Sequence, residues 1–168
     1  MKHACLAATA ILVLSAVAGR ADPASINPPP GAKPILELNA DGVQIYMCAT
    51  TGPKFEWVFK GPEANLFDAE NRQVGLHFGG PTWKLDDGSA VVGEVAAKID
   101  APQPGAIQWL LLRAKSHQGT GTLTAVTFIR RAQTKGGIAP AAGCDADHVG
   151  FAARIRYSAV YTFFGSPS

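Results

Sequence analysis

The stretch Gly75-Leu76-His77-Phe78-Gly79-Gly80-Pro81-Thr82-Trp83-Lys84-Leu85-Asp86-Asp87-Gly88-Ser89-Ala90-Val91-Val92-Gly93 decides the fold class. Two runs of strand type flank Asp86-Asp87-Gly88-Ser89, and Asp-Gly between such runs is a strong short-range hairpin signal, because glycine accepts positive φ without steric cost. Thr82 to Leu85 and Ala90 to Ile99 therefore pair. Upstream, Gln73 to Phe78 alternates with period two: Val74, Leu76 and Phe78 share one face, while Gln73, Gly75 and His77 take the other. Gly79-Gly80-Pro81 bends the chain between them.

Working outward, the same period recurs. Val43, Ile45 and Met47 alternate with Gln44, Tyr46 and Cys48 after an Asp41-Gly42 turn signal. Glu56 to Lys60 reads as a strand ended by Gly61-Pro62, and Ala64 to Phe67 as a short strand or a single helical turn. Ile107 to Lys115 is the most apolar run after the N-terminal segment; its composition would also suit a short helix, but its length and neighbours favour a central strand buried on both faces. Thr122 to Arg131 is rich in β-formers. Thr134 to Val149 reads as a long loop carrying Cys144. Arg154 to Phe164 closes the chain, with Ile155, Tyr157, Ala159, Tyr161 and Phe163 on one face. About eight short strands joined by turn signals and long loops describe an all-β protein, an antiparallel β-sandwich or barrel-like fold. The long loops favour the sandwich.

Length and composition set further bounds. The 168 residues amount to one domain, with 47% hydrophobic and 17% charged residues, enough to bury a core. A net charge of +2, without blocks of like charge, argues against nucleic acid as a partner. Lys2 and His3, an apolar run from Ala4 to Val17 and the small residues Ala16-Val17-Ala18 read as a signal peptide over 1–18. The run is too short for a spanning helix, so the mature protein is expected to carry none. A Pro-rich arm over 19–34 and a single all-β domain over 35–168 follow. This makes the chain a secreted protein, periplasmic or extracellular. Removal of the signal takes Cys5 away and leaves Cys48 and Cys144, an even pair that favours a disulfide in an oxidising compartment. Two free thiols are the rival reading, and neither cysteine has a second ligand at zinc spacing.

The motifs taken together resemble the secreted bacterial and fungal family called domain of unknown function 3455. The matching pieces are Val43-Gln44-Ile45-Tyr46-Met47-Cys48, Pro62-Glu63-Ala64, and Val74 to Trp83. Further on they are Asp87-Gly88-Ser89, Ile107-Gln108-Trp109-Leu110-Leu111-Leu112, Gly136 to Pro140, Gly143-Cys144-Asp145, and Tyr157 to Phe164. The family has no established activity. The resemblance therefore supports the fold and export, and supplies no substrate or catalytic residue.

The candidate binding residues are His77, Trp83, Asp87 and Glu94. His77 lies beside Gly75 and Gly79, which would leave a shallow open patch, and Trp83 would add an aromatic platform for a sugar ring or flat ligand. The competing reading makes His77 a half-buried residue bonded to a backbone carbonyl, with Trp83 in the core. Asp87 and Glu94 are a carboxylate pair of glycosidase type or, more simply, a turn residue and an exposed strand residue. His77, His117 and His148 fall on separate elements, so no metal site and no cofactor is expected. Arg130-Arg131, Arg154 and Arg156 form a modest basic strip or a solvated face. The leading expectation is a non-enzymatic binding or structural module. Its partner would be an extracellular or envelope ligand: a polysaccharide, a cell-envelope component or a protein. The alternative is a hydrolase or metal-dependent enzyme with a site around His77, Asp87 and Glu94.

Overall fold

A computed structural model describes residues 25–166. The signal peptide expected over 1–18, and the arm as far as residue 24, lie outside the described residues. Eight antiparallel strands form one sheet that closes on itself as a barrel in sequential order. They are β1 (Lys33–Thr51), β2 (Lys54–Phe67), β3 (Gln73–Phe78), β4 (Thr82–Leu85), β5 (Ala90–Ile99), β6 (Trp109–Gln118), β7 (Val126–Gly136) and β8 (Ala152–Gly165). The all-β antiparallel expectation holds. Of its two forms the chain takes the barrel, because β1 pairs with both β2 and β8, which leaves the sheet no free edge strand among the described residues.

Closure also explains where strand boundaries differ from the sequence reading. Asp41-Gly42 is not a turn: β1 runs straight through it. Gly42 faces β2 so closely that a Cβ there would sit 2.1 Å from the Glu63 carbonyl oxygen, and the glycine marks strand proximity instead of a bend. Gly61-Pro62 does not end β2. The register with β1 slips there, Gly61 opposing Ile45 and Phe59 opposing Tyr46. The bulge accommodates a proline that has no N–H to give to the ladder. Ala64 to Phe67 is accordingly the continuation of β2, not a helical turn. The apolar run of β6 is buried at Leu111 and Leu112 but exposed at Arg113 and Lys115, so it is not covered on both faces along its length.

Inward-facing residues fill the barrel unevenly. Leu38, Leu66, Leu85, Val126, Ile129 and Phe163 pack one end as an apolar core. Leu123, from a 3₁₀ turn at Thr122–Ala125, is fully buried and plugs that end. Asp87 clasps the plug: Oδ1 accepts from Ser89 N at 2.9 Å and Ser89 Oγ at 2.6 Å, and Oδ2 accepts from Thr122 N at 2.8 Å. Ser89 Oγ in turn accepts from Leu123 N at 3.1 Å. These donors hold the Asp87 carboxyl below the usual carboxylate range.

At the other end, Cys48 and Cys144 are joined by a disulfide, with Cα atoms 5.2 Å apart and 96 residues between them in sequence. The bond ties the β7–β8 connection to β1, and Trp57 Nε1 donates to Ala142 O at 3.0 Å in the same loop. The outer wall carries ion pairs at Glu63 with Arg154 and at Asp41 with Arg156. Among the described residues no helix is long and apolar enough to cross a membrane.

Candidate functional site

Toward the disulfide end the interior changes from leucine to polar and aromatic side chains, and the barrel opens. The four positions that follow Ala40 on the inner face of β1 include Gln44 and Tyr46, each buried. β3 contributes His77, β4 Trp83, β7 Arg131 and β8 Tyr161. Together with Leu110, Leu112, Val95, Ala97 and Ile107 they line a cavity of about 860 Å³. That size suits a small organic molecule.

His77 and Trp83 are direct cross-strand partners, and both point inward. The imidazole stacks on the indole at 4.4 Å and 9°. Tyr161 meets both rings edge-on, at 5.0 Å from His77 and 5.3 Å from Trp83. His77 Nδ1 lies 2.8 Å from the Thr82 carbonyl oxygen, which can only accept, so Nδ1 carries the proton. Burial pushes the imidazole down to about 3; the Thr82 bond works against this and Arg131 adds to it. His77 is thus neutral near pH 7, with Nε2 as a bare acceptor.

The sequence reading and the structure agree on part of this geometry. His77 and Trp83 do lie together, and His77 does bond a backbone carbonyl. The expected open patch is not present, because the faces are reversed. Leu76 and Phe78 are exposed and the His77 face is interior. Gly75 is not bare surface: a Cβ there would meet the Lys84 carbonyl oxygen at 2.4 Å, so the glycine allows β3 and β4 to close on each other. Asp87 belongs to the plugged end, and Glu94 is exposed opposite Arg113 on the outer wall. His77, Asp87 and Glu94 therefore form no common site. No group of three His, Cys, Asp or Glu residues converges as a metal site among the described residues.

Three cavity residues escaped the sequence reading, Gln44, Tyr46 and Tyr161, and Arg131, expected in a basic strip or solvated face, lines the cavity instead. The signal available was a polar residue at an inward period position, as Gln44 is between Ala40 and Cys48. Tyr46 is anchored, its hydroxyl donating to Gly137 O at 2.7 Å. The others are not satisfied in the same way. Gln44 Nε2, Trp83 Nε1 and the Tyr161 hydroxyl are buried without a hydrogen-bond partner. Gln44, Trp83 and Tyr161 are 2%, 1% and 0% exposed. The Tyr157 hydroxyl is also unpartnered. Tyr157 and Tyr161 do influence each other's ionisation, and burial raises both. Gln44 lies near the Tyr157 hydroxyl and Arg131 near the Tyr161 hydroxyl, but neither hydroxyl meets a partner at hydrogen-bonding geometry. Arg131 is half-buried, and its Nε and Nη2 both donate to Gln108 O, at 3.1 and 2.8 Å.

The chain belongs to the family described as "Protein of unknown function (DUF3455)", which matches residues 28–165, most of the chain and every strand of the barrel. Neither curated proteins nor solved structures yielded a match.

Proposed function

We propose that this member of the family is a secreted, non-catalytic binding module that takes a small, largely apolar molecule into the open mouth of its barrel. The observation that carries the reading is the cavity of about 860 Å³ whose aromatic and aliphatic wall includes buried polar atoms with no partner. A protein interior leaves such atoms unpaired at a cost of about 1–3 kcal/mol each. A bound molecule that supplies the missing partners recovers that cost, and apolar walls around a few polar groups are the usual composition of ligand pockets.

The same residues argue against chemistry. His77 is neutral and committed through Nδ1, and Asp100, the one carboxylate of the lining, accepts from Gln108 Nε2 at 2.9 Å. Export is supported by the leader-like composition of residues 2–18 and by the disulfide, a bond that persists in oxidising compartments.

Binding of the neutral dye N-phenyl-1-naphthylamine, followed by its fluorescence increase, tests the reading. Saturable binding to the wild type, lost when Ala97→Trp fills the cavity in a protein of unchanged circular dichroism, is the expected result. A dye that fails to bind, or that binds both proteins alike, removes the cavity as the site.

A further inference from the structure

We infer that the ligand of this cavity is an organic acid with an apolar body, whose carboxylate pairs with Arg131; the inference rests on the binding reading above. The charges of the lining are unequal. Lys60, Lys98 and Arg131 face one carboxylate, Asp100, and that carboxylate is held by Gln108. Arg131 enters no ion pair with a carboxylate among the described residues. Both of its bonds go to a single neutral carbonyl oxygen, which fixes the plane of the guanidinium and leaves its charge uncompensated. A half-buried cation without a counterion is costly, and an anion entering the cavity relieves that cost. The Arg131 charge is directed into the barrel: Tyr46, Tyr157, Tyr161 and His77 all feel it.

The unpartnered groups have the matching polarity. Trp83 Nε1 can only donate, Gln44 Nε2 donates, and the Tyr161 hydroxyl can donate. Gln44, Trp83 and Tyr161 line the same cavity as Arg131, and a lining that carries donors and an arginine suits an acceptor-only oxygen pair, which is what a carboxylate is. An apolar body fits the remainder, because the rest of the lining is largely aliphatic and aromatic, with Phe59, Val95, Ile107, Leu110 and Ile138 among it.

The test uses two competitors of the same shape against bound N-phenyl-1-naphthylamine: 2-naphthoate and its neutral isostere 2-naphthamide. The acid should displace the dye at a concentration at least about tenfold lower, in line with a charge-assisted pair, and its advantage should shrink as salt is added. Arg131→Gln should bring the two competitors to equality, and Arg131→Lys should keep part of the preference, which also covers the case in which the glutamine variant fails to fold. Equal competition in the wild type, or a preference that survives Arg131→Gln, overturns the acid assignment while leaving the cavity as a binding site. Failure of the dye and of both naphthalenes to bind overturns the binding reading and this inference together.

Discussion

The imidazole of His77 and the indole of Trp83 lie 4.4 Å apart and nearly parallel on the inner wall of the barrel, paired across adjacent strands. One is a titratable ring and the other a large apolar surface. Their stacking ties the packing of β3 and β4 to the neutrality of His77. A proton on that imidazole would be buried, and Arg131 would repel it.

The first prediction follows from that pairing. The folded-state value of about 3 lies below the ordinary 6.5. As pH falls below 6.5 the unfolded chain gains a proton that the folded chain refuses, so stability declines until about pH 3 and then levels off. At pH 5 the loss is about 2 kcal/mol relative to pH 7.5. Urea unfolding at the two pH values should show it, and His77→Phe should flatten the difference. Asp87 does not disturb the comparison, since pH 5 lies above the usual carboxylate range. Equal slopes in the two proteins would contradict the assignment.

Ser89 is the joint of the plugged end. It is fully buried, donates to Asp87 and accepts from Leu123 N. Ser89→Ala removes that acceptor and leaves the Leu123 N–H unsatisfied in the core. The expected loss is about 1–3 kcal/mol in chemical denaturation, with no change in dye binding at the other end. A variant as stable as the wild type would show that the clasp contributes little.

The disulfide closes a long loop, Cys48 to Cys144, and restricts the unfolded chain accordingly. The paired Cys48→Ser, Cys144→Ser variant should be less stable by roughly 4–5 kcal/mol on the loop-entropy model. Intact mass of the unreduced protein should fall two hydrogen atoms short of the dithiol. A full-dithiol mass from an oxidising compartment would remove the cross-link.

Tyr161 separates stability from binding. Its hydroxyl is buried without a partner, so Tyr161→Phe should leave thermal stability unchanged or raise it by about 1 kcal/mol. The same change should weaken 2-naphthoate several-fold, because a donor to the acid is lost. A variant that melts markedly earlier would mean that the hydroxyl is satisfied in the folded protein.

Much of the architecture was legible from period two. The inward face of β8, with Tyr157, Ala159, Tyr161 and Phe163, and the hairpin at Asp86 to Ser89 are as alternation and turn chemistry require. Alternation separates two faces but does not say which one is inside. On β3 the more apolar face, Leu76 and Phe78, is the outer one, and His77 is interior. A polar residue is tolerated there because Thr82 O satisfies Nδ1 and Trp83 covers the ring.

The amino-acid sequence by itself determined the strand-forming class, the cysteine pair available for cross-linking and the neighbourhood of His77 and Trp83, because these depend on local period, turn residues and counts. Only the tertiary structure decided that the sheet closes, that Asp87 and Glu94 belong elsewhere, and that Gln44, Arg131 and Tyr161 share a cavity. Those outcomes depend on strand register across residues far apart in the chain, where a slip of one position exchanges interior for exterior.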